Sequence, residues 1–451
     1  MVAAWPADST LPKSGRRLYH VRVHQPAPGA PPFDPHWLDH LVAGCRQLRG
    51  THPRFEDLFL ERRLEIAVAA GCEVASCCSE GAAARWRFPS RWAVHAAAGV
   101  SSDAVAALMS RYSDRLKVLP GPPPPPLDLG PPPGWSDWAR DMVGRIADPG
   151  ATIRFLVRTA VVIRRGGWRH AVSPALVRME TGSAGTALLA VWGHPRLGAW
   201  IGDLLTPPPS RPWNPEAGLR VPVVFTDGTS GPVLHELVGH LAEGDLVAEG
   251  RSPLTGLGGA TLTEAALDLV DDPRRADLPG AFSCDDEGVA AEAVVVLEGG
   301  RLRSWLCDRD TAAAGVGLPG RGRRADWRSP PAPRLSNLIA GAGTVEPAVI
   351  ESGLSRGLVV TRLSGATVDP VSSRTVLRVE RGFELRNGRR RRALGPLELT
   401  GSVTEILAGI DTAIGNDPTP DWRLGWCVKN GLPLPTGSEA PTLLIRHLEV
   451  L

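Results

Sequence analysis

Lysine is nearly missing from this sequence: the only lysines are Lys13, Lys117 and Lys429. The other basic residues are arginine, and with abundant Ala, Gly and Pro this is the coding bias of a GC-rich genome, so arginine content by itself carries no function. No apolar run approaches the ~20 residues that a membrane-spanning helix needs. Met1 to Arg17 holds Lys13, Arg16 and Arg17 with no apolar segment after them, so an export signal is not expected and the cytoplasm is. The formal charge of +2 and the 22% charged residues exclude a global nucleic-acid or membrane signal. Seven cysteines, an odd number and widely scattered, exclude a disulfide framework and are expected to be mostly buried small hydrophobes. Adjacent Cys77 and Cys78 lack the spacing to other Cys or His that a zinc finger needs.

A chain of 451 residues has room for a substantial core and about two or three domains. From Phe33 to about Arg115 the pattern predicts a helix over His36 to Leu48, a strand over Arg63 to Val68, and a helix over Ser102 to Ser110 capped by Ser101. Pro122 to Pro126 and Pro131 to Pro133 then mark a linker at 120–134, because proline donates no backbone hydrogen bond and favours extended chain. A helix over Trp135 to Ala147, strands over Ile153 to Ile163 and Leu188 to Trp192, and one more helical stretch lead to a second proline cluster, Pro207 to Pro212. From Arg220 onward short β runs dominate, among them Val221 to Phe225, Ala293 to Leu297, Leu358 to Leu363, Val376 to Glu380 and Leu443 to Leu448.

One helix interrupts those strands. It reads His235-Glu236-Leu237-Val238-Gly239-His240-Leu241-Ala242-Glu243-Gly244-Asp245, an H-E-x-x-x-H motif. In the commoner H-E-x-x-H arrangement the histidines are about 40° apart around a helix of ~3.6 residues per turn. Here the separation is roughly 140° on a regular helix, so both imidazoles reach one ion only if the helix widens between them, and Gly239 stands where a π-bulge is expected. Zinc in a catalytic site takes three protein ligands and keeps an open position for water, so a third ligand is required. The glutamate of the H-E pair, Glu236, then serves as general base rather than ligand, taking a proton from the attacking water.

The stretch from His235 to Asp245 resembles the H-E-x-x-G-H-x-x-E-G-D signature of the TldD/PmbA family of zinc metallopeptidases. The likeness continues in order through Cys284-Asp285-Asp286-Glu287-Gly288, Leu297-Glu298-Gly299-Gly300, Asp308-Arg309, Gly322-Arg323-Arg324 and Pro333-Arg334-Leu335-Ser336-Asn337. Near the end, Cys427-Val428-Lys429-Asn430-Gly431 is similar to the family's C-G-K-x-G-Q segment, and the resemblance implies that Cys427 is the third zinc ligand, one Zn²⁺ per catalytic chain. The likeness covers about Arg220 to Leu451, and the N-terminal part only loosely, through Arg54 to Arg63. Val428 departs from the family's Gly, and Leu432 and Ala440 stand where Gln is usual, which removes polar contacts near the ligand loop.

Around this set, Glu243 and Asp245 are candidates to hydrogen-bond the ligand histidines, and Lys429 and Arg324 are candidates for support or substrate contact. Asp285, Asp286 and Glu287 lack the alternating spacing of a calcium loop and are read as a structural cluster. Arg321, Arg323 and Arg324 are read as a solvated loop, with a peptide-carboxylate grip as the sharper alternative. Arg389 to Arg392 follows the hairpin signal Asn387-Gly388 and decorates an exposed turn; without interleaved aromatics it is not read as a nucleic-acid site. The expected architecture is α+β: an arm over 1–32, an N-terminal α/β domain over 33–212, and a β-rich C-terminal domain over 213–451 that carries the irregular zinc-binding helix. The resemblance implies a peptidase acting on extended or unfolded peptides, working as a homodimer or as a heterodimer with a homologous metal-free TldE/PmbA-like subunit, with no nucleic-acid or membrane partner. Two alternatives stand beside it: a specialised amide or peptide hydrolase of a biosynthetic pathway, and a non-catalytic binding subunit stabilised by zinc.

Overall fold

The structure is a computed structural model that describes residues 33–69, 74–89, 92–113, 131, 133–146, 150–181, 187–206 and 212–451. The expected arm over 1–32, most of the proline-rich stretch and the bulk of the second proline cluster lie outside the described residues.

The first half builds an antiparallel seven-stranded sheet. Its order runs Trp92–Ala98, Ala75–Arg87, Arg54–Ala69, Thr152–Arg164, Leu176–Glu180, Ala187–Val191, with Gly167–Val172 also paired to Thr152–Arg164. The predicted strand at Arg63 to Val68 is the end of a much longer one, Arg54–Ala69. Side chains on a strand alternate between faces. Here the even positions Leu58, Leu60, Leu64 and Ile66 turn toward the helices: the first two pack with Pro35–Gln47 and Ser102–Met109, the last two with Trp135–Arg145 and Leu197–Leu204. Helix Pro35–Gln47 begins as its sequence directs, with the Asp34 carboxylate accepting from the Trp37 amide at 3.0 Å and proline in the first turn. Its Leu38, Leu41, Val42 and Cys45 form the buried stripe.

The odd positions of the same strand face the C-terminal part. Asp57, Phe59 and Glu61 are fully buried there. Arg85 Nε donates to Asp57 at 3.0 Å and its guanidinium also pairs with Glu287. Arg158 bridges Glu61 at 2.6 Å and Asp286 at 2.8 Å. The Trp327 amide donates to Glu61 at 2.9 Å while its indole lies flat on Gly81, where an added Cβ would fall 2.1 Å from the ring. The triplet Asp285 to Glu287 is thus a structural cluster, with the Asp285 carboxylate accepting from the amides of Glu287, Val289 and Gly322.

In the C-terminal part, strands Arg356–Asp369, Arg220–Phe225, Leu443–Val450, Leu397–Ser402 and Arg374–Arg386 pair in a circuit that closes on itself, because the last also pairs with the first. Valine, leucine and isoleucine side chains from this ring fill one core with helix Val403–Ala408. The hairpin Arg374–Arg386 to Arg389–Ala393 turns at Asn387 and Gly388, both at positive φ as the Asn-Gly pair requires, and its second strand is an exposed edge. A six-stranded sheet lies opposite, in the order Arg301–Leu302, Val294–Glu298, Leu269–Asp271, Asn337–Ala340, Gly437–Ala440, Thr419–Asp421. The helix with the H-E-x-x-x-H motif is wedged between ring and sheet, with Val233, Leu234, Leu237, Val238 and Leu241 all in the shared core. Mixed and strand-rich, the architecture agrees with the expected α+β class.

The six described cysteines are free thiols; Cys45, Cys284, Cys307 and Cys427 are buried, in keeping with the expectation that most are, while Cys77 and Cys78 are exposed on strand Ala75–Arg87. Among the described residues no helix is long and apolar enough to cross a membrane.

Candidate metal centre

Strand Arg220–Phe225 delivers the chain to a tight turn at Asp227 and Gly228, both at positive φ, and helix Ser230–Leu234 starts immediately after it. Gly231 lets that helix approach strand Gly437–Ala440, since a Cβ there would sit 2.6 Å from Ser438 Oγ. The helix then widens into one π-turn, His235–Gly239, closed by the His240 amide donating to the His235 carbonyl five residues back, and tightens over His240–Ala242. The extra residue in that turn carries His240 back toward His235: their rings lie 4.8 Å apart, nearly perpendicular at 87°. Gly239 has ordinary helical dihedrals, so glycine is not there for its conformational freedom. It is there because a Cβ would come within 2.4 Å of Leu335 Cδ2.

The third element is a hairpin, Trp426–Lys429 with Leu432–Pro435, turned by Asn430 and Gly431 at positive φ. Alternation along its first strand sends Cys427 and Lys429 to one face and Val428, 45% exposed, to the other. Cys427 Sγ lies 3.3 Å from His240 Nε2. One ligand atom each from His235, His240 and Cys427 can be chosen so that all three lie within 4.8 Å of one another. Lys429 reaches the end of the helix, 2.8 Å from Glu243 Oε2, 2.7 Å from Asp245 Oδ1 and 3.1 Å from the Pro333 carbonyl. It is the one lysine among the described residues, and it occupies a place that asks for a compact cation rather than a planar fork.

The electrostatics follow from this packing. Burial pushes the Cys427 thiol up, but His240, Arg334 and hydrogen bonds from His235 and His240 outweigh it and bring the thiol well below its usual range. Burial lowers His240, yet the charges of Cys427, Glu243 and Glu236 hold it well above the usual imidazole value. Glu236 is raised by its surroundings of protein, against the pull of His240 and His235. Burial would raise Glu243, but Lys429 and His240 bring it down to about 2. Glu236 and His240 both keep partial exposure, which leaves one side of the cluster open.

Of the residues singled out in the sequence, His235, Glu236, His240, Glu243, Asp245, Cys427 and Lys429 come together here. Glu243 Oε2 lies 3.3 Å from His240 Nδ1, as anticipated, whereas Asp245 turns to Lys429 rather than to a histidine. Arg324 is elsewhere. It is fully buried over the Phe59 ring, with its amide donating to Asp286 and its guanidinium to the Ser329 carbonyl. Arg321 and Arg323 are buried too, so the solvated-loop reading of this segment does not hold: its cations face carboxylates and carbonyls that are distant in sequence. Arg334, to which sequence reasoning assigns no role, donates to both the carbonyl and the sulfur of Cys427.

Residues 218–451 match the family model described as PmbA/TldA metallopeptidase C-terminal domain. Metalloprotease TldD homologs are similar over about half of the chain: that of Buchnera aphidicola (subsp. Acyrthosiphon pisum) is 29% identical over 230 residues, 51% of this chain and 47% of the relative, and that of Haemophilus influenzae is 30% identical over 235 residues, 52% and 48%. The chain therefore spans about half the length of the curated relatives it matches. Fold similarity reaches further. The crystal structure of TldE from Thermococcus kodakarensis superposes with a TM-score of 0.67 at 14% identity, covering 92% of this chain and 99% of that one. A putative modulator of DNA gyrase from Bacteroides thetaiotaomicron gives 0.63 at 13%, covering 92% and 97%.

Proposed function

The chain belongs to the TldD/PmbA family of metallopeptidases, and from that premise we propose that it is a zinc-dependent peptidase of H-E-x-x-x-H type acting on extended or unfolded peptides. The observation that carries the reading is the convergence of His235, His240 and Cys427. Two imidazole nitrogens and a thiolate are donors that zinc favours, and a set of three matches a catalytic site, which keeps a position open, better than a closed structural one. Zinc held there would supply Lewis acidity to the scissile carbonyl and lower the pKa of water enough for attack near neutral pH.

The chain's own residues do the rest. Glu236 projects from the same π-turn and takes the proton of the attacking water, handing it on to the departing amine. The backbone of Val368 is among the groups that act on its carboxylate. Among the described residues, strand Arg356–Asp369, to which Val368 belongs, pairs with Arg220–Phe225 only over Leu358–Val360, so its later part has one strand neighbour, Arg374–Arg386. An extended peptide adding a strand at this edge would lie beside Glu236, and strand addition gives affinity with little side-chain preference. Glu243 orients His240, and Lys429 fixes Glu243. The same reading takes 33–212 and 213–451 as domains, places the protein in the cytoplasm, and makes this chain the catalytic subunit of a homodimer or of a heterodimer with a metal-free TldE/PmbA-like homologue.

A specialised hydrolase of one small peptide or amide is the second reading, favoured by the exposed apolar side chains of Val428 and Leu432 on the ligand hairpin. Replacing Glu236→Gln separates both hydrolases from the non-catalytic, zinc-stabilised subunit. We expect the variant to keep its zinc while cleavage of an unstructured peptide falls about 10²- to 10⁴-fold; unchanged cleavage would sink the assignment of Glu236 as base.

A further inference from the structure

Resting on the reading of His235, His240 and Cys427 as a zinc set, we propose that Arg334 is its positioning residue: one guanidinium fixes the Cys427 sulfur and locks the hairpin that carries it. Arg334 lies between strands Ala332–Pro333 and Asn337–Ala340 and is 3% exposed. Its Nη2 donates to the Cys427 carbonyl at 2.7 Å and to Cys427 Sγ at 3.4 Å, and its Nη1 donates to the Leu432 carbonyl at 3.1 Å. Cys427 is on one strand of the hairpin and Leu432 on the other, so the planar fork ties the two strands together at the sulfur.

The charge balance gives the second argument. A buried guanidinium without a counter-charge is costly. Other buried arginines meet that cost with carboxylates, Arg321 with Asp271 and Arg85 with Asp57 and Glu287, while Arg323 faces carbonyls. Among the described residues no carboxylate lies within ion-pair distance of Arg334, and the acidic group it touches is the thiol of Cys427. A cation aimed at a sulfur donor offsets its negative charge and tunes how strongly it gives electrons to a metal, as hydrogen bonds to metal-bound sulfur do. Arg323 supplies an internal control. It pins the far end of the same hairpin through the Pro435 carbonyl, also donates to the Leu335 carbonyl next to Arg334, and makes no hydrogen bond to the sulfur among the described residues.

The test uses the full chain as wild type, Arg334→Met, Arg334→Lys and Arg323→Met. Zinc affinity is measured by competition with a chromophoric chelator, and the thiolate-to-metal charge-transfer band is recorded after loading with Co²⁺. We expect Arg334→Met to bind zinc about 10- to 100-fold more weakly and to shift the band. Arg334→Lys, which cannot reach all three acceptors at once, should lose less and shift the band in the same direction, and it decides the matter if the methionine variant does not fold. Arg323→Met should leave the band where it is. Wild-type affinity and an unshifted band in Arg334→Lys would overturn the inference, as would an equal shift in Arg323→Met, which would mean that only hairpin stiffness matters. A wild-type protein that binds no zinc overturns the metal centre itself and this inference with it.

Discussion

Strand Arg54–Ala69 turns Asp57 and Glu61 into a buried seam against the C-terminal part, whereas the helix that carries His235 turns Val233, Leu234, Leu237, Val238 and Leu241 into an apolar core between two sheets. The first contact joins ion pairs to a small apolar cluster that includes Phe59 and Trp327, and the second is close packing alone. Ion pairs are strong only while every member is present, since desolvation has already taken most of their gain and a lost partner strands a buried charge. Packing between sheets tolerates less displacement and fixes positions more finely, and it is that second kind of contact which brackets the candidate metal centre. The family model covers only this packed half, 218–451, while the fold likeness to the TldE structure extends over 92% of the chain. A sheet can be kept by its alternation alone; a centre whose donors must converge needs particular residues.

This contrast can be broken at either end. The larger effect is expected at the seam. Asp57 accepts from Arg85 and is 3.7 Å from both Arg309 and Arg324, the latter with no other carboxylate within ion-pair distance among the described residues. Asp57→Ala should cost about 3–5 kcal/mol of stability in urea unfolding. A cost below about 1 kcal/mol, the level of an exposed pair, would mean that the seam is wetter than its burial indicates. The smaller effect is expected in the packed core. Gly239→Ala drives a methyl group into Leu335 and should cost about 1–3 kcal/mol, typical of overpacking, while weakening zinc binding because the π-turn must shift. Wild-type stability together with wild-type zinc affinity would contradict the packing explanation for that glycine.

Much of the local structure was readable from the sequence. The helix at Pro35–Gln47, the capped helix at Ser102–Met109 and the Asn387-Gly388 hairpin each follow from a cap, an apolar period or a turn pair within a few residues. The widening at His235–Gly239 followed from a single spacing, because two histidines five positions apart cannot share a face on a regular helix. What could not be read was which charged residues are buried. Arg321, Arg323 and Arg324 look locally like a solvated run, and only their partners Asp271, Pro435, Asp286 and Ser329 make them interior. The length of strand Arg54–Ala69 was missed for the same reason, since its charged first half reads as loop until the covering face is known. Arg334 is a third case: nothing near it in sequence points to Cys427, 93 residues away. The turn pair Asn430-Gly431, by contrast, was a signal for the ligand hairpin that a local reading could have used.

The central claim is that three residues from two distant segments form one metal site, and metal content on purified chains tests it most directly. Wild type should carry about one zinc per chain, Cys427→Ala should lose it while keeping its fold by circular dichroism, and a chelator should stop cleavage of an unstructured peptide by wild type. A wild-type chain without zinc under every partner condition, or a Cys427→Ala chain that holds zinc as tightly as wild type, would contradict it.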